Sequence, residues 1–452
     1  MNEFKQWLAL FYEQKEATEK RISEGIEKHR KGDLSLIIKD KSGAPVKNAR
    51  ITLSQKSHEF KFGANLFMLE EMESEEKNAA YKKAFAETFN MATLPFYWNA
   101  TEPERGHLRY DKNSTPMYRR PPIDLCMEFC EQNGIEPREH ALAYVSLFPK
   151  WLNELSVPEI KIELERRFRE ISERYAKRIP TIEVTNELLW ESKYVAVPSI
   201  YEQDDYLDFA FALAKKYFPT NTLAINEAPM IWRENARTTD HYYSYVEAAM
   251  HRGARIDAIG MQYHLFIAKD AIEQNIRSKY LSPEWLYRHM DLYARFGKPL
   301  QVTEITIPAY SNAPEDEAVQ AELLTWLYSI WFSHPAMEQI IYWNLVDGYA
   351  HLNDPDPEKI KASRGDMSIG ENVYYGGLFR FDMTPKPAFF AIQNLIKKKW
   401  HTDTSLVTDT EGRAKMRGFY GTYAFTVETE NGIETREITL SKDGKNNIEI
   451  IL

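Results

Sequence analysis

From residue 60 to residue 345 the chain repeats one rhythm, a short apolar or β-branched run followed by an amphipathic stretch with helical spacing. The runs are FKFGANLF (60–67), FNMATLPF (89–96), REHALAYV (138–145), TIEVTNE (181–187), TLAINEA (222–228), AIGMQYH (258–264), PLQVTE (299–304) and QIIYWNL (339–345). Between them lie segments such as EIKIELERRFREISERYAKRI and YLDFAFALAKKYF, whose apolar positions fall on one helical face. Eight β units alternating with helices predict a closed (β/α)8 TIM barrel, an α/β fold. A doubly wound open sheet is the competitor. It favours a glycine-rich phosphate loop after its first strand, and neither GxGxxG nor GxxxxGK[ST] occurs there.

The flanks have a different texture. Residues 1–32 mix Glu, Lys and Arg with sparse apolar positions and read as a helical segment ending near Gly32. Two β-patterned runs follow, near 34–39 and 49–54, and short β runs broken by EG, YG, NG and DG turns return after residue 402. Neither end has enough strands for an independent sandwich. The expectation is therefore one small β-sandwich built jointly from 33–58 and 402–452, with a barrel over 59–401 inserted between them. The stretches DKSGAPVKNARITL and TDTEGRAKMRGFYGTYAFTV resemble split halves of a transthyretin-like or carboxypeptidase-regulatory module. Its expected role is to brace the barrel termini, the alternative being to bind glycan or a protein partner.

Charge narrows the partners. With 57 Lys+Arg against 67 Asp+Glu the net charge is −10, which disfavours nucleic acid or an anionic membrane. No apolar run approaches the ~20 residues of a membrane span. The early cluster Trp7–Tyr12 is too short for a signal-peptide core, so a cytoplasmic location is expected, a secreted chain that has lost its leader being the alternative. The two cysteines, Cys126 and Cys130, are one helical turn apart and read as buried thiols. Neither a metal nor an organic cofactor is called for. Oligomeric state is not legible.

In a barrel the C-terminal ends of the strands face the active-site mouth. The fourth run ends in Asn186-Glu187 and the seventh in Glu304. Two glutamates on separate strands could oppose each other there, one protonated to assist a leaving oxygen and one ionised to attack. His140, Gln262, His264 and Trp343 also fall at strand ends.

At these residues the sequence resembles glycoside hydrolase family 10, mostly endo-β-1,4-xylanases on a (β/α)8 barrel. The resemblance covers roughly 60–400 and rests on WNATEPERGHLRYD (98–111), HALAYVSLFPKWL (140–152), IEVTNELL (182–189), IDAIGMQYHLF (256–266), LQVTEITIP (300–308), IIYWNLVDG (340–348) and FDMTPKPAFFAI (381–392). It implies Glu187 as acid/base and Glu304 as nucleophile of a retaining hydrolase. It further implies Asn186 on the sugar 2-hydroxyl, His264 holding Glu304, Gln262 and His140 on the sugar, and Trp343 as an apolar floor.

The departures concern the glycone side. The family usually reads Glu-Asn-x-Met-Lys-Trp before the first motif; here the stretch is Thr93-Leu94-Pro95-Phe96-Tyr97-Trp98. Tyr144 stands where a Trp is usual, Leu147 where a Gln is usual, and His351 near a second expected Trp. Each lost hydrogen-bonding partner costs about 1–3 kcal/mol. Tyr97, Phe96, Tyr144 and Phe148 are accordingly expected to make a more apolar glycone pocket. The expected activity is a retaining glycoside hydrolase acting on a short, decorated or aryl β-glycoside. The alternatives are a genuine endo-β-1,4-xylanase and a non-catalytic carbohydrate-binding barrel.

Overall fold

The computed structural model describes residues 3–189, 195–233, 240–349, 356–429 and 432–452. Strands β1 (Lys31–Lys39) and β2 (Arg50–His58) come first. The barrel strands are β3 (Lys61–Asn65), β4 (Met91–Pro95), β5 (Glu136–His140), β6 (Thr181–Asn186), β7 (Thr222–Glu227), β8 (Ala258–His264), β9 (Leu300–Thr306) and β10 (Met337–Tyr342). They are parallel, and β10 pairs with β3 to close the barrel. Strands β11 (Asp403–Val407), β12 (Arg413–Phe419), β13 (Gly421–Thr429), β14 (Gly432–Leu440) and β15 (Asn447–Ile451) follow.

The strands form where the apolar runs predict them, with one informative difference. The expected run 138–145 keeps strand pairing only to His140, after which Ala143 makes a single bridge to Thr185. The chain leaves the sheet there, and Tyr144 turns over the barrel mouth.

The helix Val157–Tyr175 illustrates how the outer layer is specified. The Ser156 backbone N–H donates to the Glu159 carboxylate at 2.8 Å, and Pro158 sits in the first turn, where its missing donor costs nothing. Ile160, Leu164, Phe168, Ile171 and Tyr175 then form its buried stripe. The helix Pro314–Ser333 is apolar on most sides because the N-terminal helix Lys15–His29 covers its outer face. At the end of that N-terminal helix, Arg30 is buried and donates to the carbonyls of Phe332, His334 and Met337. Of these, the Phe332 carbonyl lies in the last turn of Pro314–Ser333, which would otherwise leave it unsatisfied.

The two chain ends meet in two sheets, β12-β1-β15 and β11-β2-β13-β14. Period-two alternation turns Leu34, Leu36 and Ile38 of β1 and Tyr423, Phe425 and Val427 of β13 into a shared core with Ile51 and Leu53 of β2. Phe419 of β12 packs on Phe332 at 6.2 Å, tying this module to the barrel through aromatic rings. Leu53 is fully buried and lies opposite Phe425 in the ladder between β2 and β13. Leu53→Ala is therefore expected to lower stability by about 2–4 kcal/mol through lost burial and a residual cavity. Denaturant unfolding measures this, and a loss below about 1 kcal/mol would mean that the module contributes little to the folded state.

Candidate active site

The C-terminal strand ends bring Asn186, Glu187, Gln262, His264, Glu304 and Trp343 to one mouth, as the strand-end argument requires. Gln262 joins the two glutamates. Its Nε2 lies 2.6 Å from Glu187 Oε1 and 3.0 Å from Glu304 Oε1, so those oxygens are at most about 5.6 Å apart. A retaining carboxylate pair needs a separation of ~5–5.5 Å, and an inverting pair a wider one that admits a water.

Glu187 follows β6 with φ +56, a left-handed conformation that costs a non-glycine residue about 1–2 kcal/mol. Such strain persists where surrounding bonds hold it. Here the Glu187 backbone N–H donates to the Asn226 carbonyl at 3.2 Å, and the Tyr144 hydroxyl donates to Glu187 Oε2 at 2.5 Å.

Glu304 is deeper, 3% exposed. Asn226 Nδ2 lies 3.2 Å from its Oε1, and His264 Nε2 lies 3.2 Å from its Oε2. Burial pushes the Glu304 carboxyl well above the usual range; His140 pulls it down, while Glu187 and Glu183 push it up. Burial also lowers His264 to about 4, leaving it neutral at pH 7. With His264 neutral, Nε2–H donates to Glu304 while Nδ1 accepts from the Thr306 hydroxyl at 2.9 Å.

His140 is arranged differently from the sugar-contacting role that the resemblance implies. Its Nδ1 lies 2.8 Å from Glu183 Oε1 and its Nε2 2.9 Å from the Tyr97 hydroxyl, so both nitrogens are engaged by protein. Burial alone would lower its pKa, but the Glu183 carboxylate outweighs this and raises it. Glu183 also faces Arg138, at 2.5 Å, and both side chains are fully buried.

The apolar wall is made by Trp343, Tyr97 and Phe67, with Tyr144 and Leu147 packed against them. Phe67 to Trp343 is an edge contact at 5.1 Å. Phe96 and Phe148 are not part of this wall. Adjacent residues at a strand end point to opposite sides, so Tyr97 faces the mouth while Phe96 packs on Tyr175 of the outer layer, and Phe148 packs on Trp98. His351 lies outside the described residues.

Other matched motifs are structural. Trp98 Nε1 donates to Glu102, which Arg166 holds at 2.7 Å, and Lys386 pairs in the interior with Asp347. Concavities at the opposite end of the barrel, lined in part by His58 and Glu136, and on the β module, beside Val427 and Ile433, lie away from the strand-end glutamates.

Sequence reasoning missed Asn226. Its Nδ2 reaches Glu183, Asn186 and Glu304 at 3.2, 3.0 and 3.2 Å. A signal was present, since the fifth run carries the same Asn-Glu dipeptide, Asn226-Glu227, that ends the fourth. There Glu227 accepts from the Leu189 and Ala228 backbones instead.

A profile of glycosyl hydrolase family 10 matches residues 54–395. The chain belongs to that family. Among curated family 10 relatives and others, it is 23% identical over 411 residues to anti-sigma-I factor RsgI6 of Acetivibrio thermocellus, covering 90% of this chain and 46% of that protein. It is 25% identical over 261 residues to endo-1,4-beta-xylanase B of Cellvibrio japonicus, covering 56% of this chain and 38% of that one. The chain thus spans less than half the length of these relatives. Among solved structures, xylanase 10B from Thermotoga petrophila in complex with xylobiose superposes with a TM-score of 0.57 at 20% identity, covering 75% of this chain and 95% of that one. In this family 10 barrel Glu187 and Glu304 stand at strand ends, with Tyr97, Tyr144 and Leu147 in the apolar wall beside them. Among the described residues no helix is long and apolar enough to cross a membrane.

Proposed function

We propose that the protein is a retaining glycoside hydrolase that cleaves short, decorated or aryl β-glycosides by double displacement. The observation that carries this is the Gln262 bridge, which keeps one oxygen of Glu187 and one of Glu304 within about 5.6 Å, short of the ~6.5–9.5 Å of an inverting pair. Glu187, at the rim, donates a proton to the leaving oxygen and later takes one from water. Glu304, held by Asn226 and His264, attacks the anomeric carbon. Asn186 and Gln262 face the sugar hydroxyls, and Trp343 floors the subsite.

The altered glycone side rests on the missing anchors. Tyr97 and Leu147 present rings and methyls where hydroxyl-binding groups are expected, and His140 is already saturated by Tyr97 and Glu183. A kinetic panel of aryl β-xyloside, arabinoside, galactoside, glucoside and fucoside beside xylan tests this. Higher kcat/KM on an aryl glycoside than on xylooligosaccharides is expected. High endo-activity on undecorated xylan would instead establish an ordinary xylanase, and binding without turnover a carbohydrate-binding barrel.

Tyr144 also has a testable part. Its hydroxyl fixes one oxygen of Glu187, so Tyr144→Phe removes a hydrogen bond to an ionisable group, worth about 1.5–3 kcal/mol. The expected result is a fall in kcat/KM of about 10- to 100-fold on the preferred glycoside. Unchanged kinetics would show that Gln262 alone holds Glu187.

A further inference from the structure

We propose that Arg120, with Arg119 beside it, binds an anionic substituent on the sugar held at Glu304, the carboxylate of a uronic acid or a sulfate ester. This rests on the glycoside hydrolase reading above. The guanidinium of Arg120 lies 4.2 Å from the Tyr97 ring centroid and 5.4 Å from that of Phe67, two rings of the apolar wall. The Tyr97 hydroxyl in turn lies 2.9 Å from His140 Nε2, which is 4.0 Å from Glu304 Oε1. Arg120 therefore lies against the ring that borders the reacting position.

Arg120 is 8% exposed, and its one side-chain hydrogen bond among the described residues runs from Nη1 to the Arg119 carbonyl at 2.8 Å. Taking a guanidinium out of water is unfavourable unless its donors find acceptors. Elsewhere this chain supplies them. Arg30, buried without a carboxylate, reaches three carbonyls, and Arg167 reaches two carbonyls and the Thr101 hydroxyl. Arg120 has one acceptor, and its other N–H groups are not sealed from solvent.

Arg119 adds to the positive field. It donates to Asn344 Oδ1 at 2.8 Å and to the Tyr349 carbonyl, and among the described residues it has no carboxylate partner. Its Nε is buried without an acceptor. Burial lowers the Arg120 pKa to about 10, the neighbouring Arg119 lowers it further, and no carboxylate is among the groups that act on it most. Two cations beside a sugar subsite, with spare donors and no carboxylate partner among the described residues, match a planar carboxylate or a sulfate in charge and in fork geometry. A neutral hydroxyl needs no second cation.

The test is calorimetric binding to the whole protein at low salt. One arm compares methyl β-D-glucuronoside with methyl β-D-glucoside, and the other methyl 6-O-sulfo-β-D-galactoside with its unsulfated parent. In at least one arm the anionic sugar is expected to bind ten times or more tighter than its neutral parent, and the arm that responds identifies the anion. In Arg120→Gln that ratio should fall below about threefold, and Arg120→Lys should recover part of it. Equal or weaker binding of both anionic sugars by the unmodified protein overturns the proposal, whatever the variants do. Turnover of the corresponding aryl glycosides is followed in parallel. Hydrolysis without anion preference defeats this inference alone, and anion preference without any hydrolysis defeats the hydrolase reading alone.

Discussion

Glu304→Gln is expected to lower kcat on the preferred aryl β-glycoside by about 10^4-fold or more. The substitution keeps the shape of the side chain, so Asn226, Gln262 and His264 still surround it, but an amide is not a nucleophile toward the anomeric carbon. Glu304→Ala separates chemistry from binding further. It opens room beside the sugar for azide, and rescue should yield the α-glycosyl azide, because azide then attacks from the face that Glu304 vacated. Glu187→Ala should behave otherwise. Activated aryl leaving groups need little protonation, so its loss of kcat/KM is expected to be small on dinitrophenyl glycosides and large on sugar leaving groups, while kcat falls on both because the base of the second step is gone. Azide rescue of Glu187→Ala should give the β-azide. Exchanged azide stereochemistry would reverse the two assignments, and Glu304→Gln within tenfold of the unmodified protein would remove the covalent mechanism altogether.

The contrast between those two residues shows what the sequence makes legible. Strand period and the rule that strand C-termini form the mouth are enough to bring Glu187 and Glu304 together, because both follow from backbone geometry that local patterning encodes. The left-handed Glu187 and the turn of Tyr144 onto it are not encoded that way. The Glu187 backbone is held by Asn226 on another strand, and the turn of Tyr144 depends on β5 ending at His140, of which an alternating apolar run such as HALAYV gives no sign. Asn226 was visible as a dipeptide, yet its role depends on three partners on two other strands. Phe96 and Tyr97 are adjacent in sequence and alike in composition, but they face opposite layers, so a list of aromatic residues near a motif overcounts the pocket. Arg120 lies in a loop with no periodicity at all, and it gains meaning only from the ring beneath it and the acceptors it lacks.

The second large effect is expected beneath the site rather than in it. Arg138, Glu183 and His140 form a fully buried charged cluster, with Arg138 Nη2 2.5 Å from Glu183 Oε2 and His140 Nδ1 2.8 Å from Oε1. Arg138→Met keeps most of the side-chain volume and removes the cation, leaving Glu183 with His140 as its remaining charge partner. Breaking a buried pair from one side costs about 3–5 kcal/mol, because the other charge stays in the interior uncompensated. That is the expected loss at pH 7 in chemical denaturation. Arg138→Met combined with Glu183→Gln should recover much of it, since the stranded charge is then gone. The pH dependence has a definite sign. Burial would raise Glu183, but His140 and Arg138 outweigh it and hold its pKa below 4.5, so its contribution is present above that pH and is lost as the pH falls through the folded value. His140 is raised above 6.5, so its contribution is complete below that pH and is lost as the pH rises through its folded value. The cluster therefore supports the barrel most between those limits, and Arg138→Met should lose part of the acid-side slope. A loss of less than about 1 kcal/mol, or a double variant no better than the single, would mean that Glu183 holds a proton in the folded protein. In that case His140 would not carry the charge that draws Glu304 toward its ionised form.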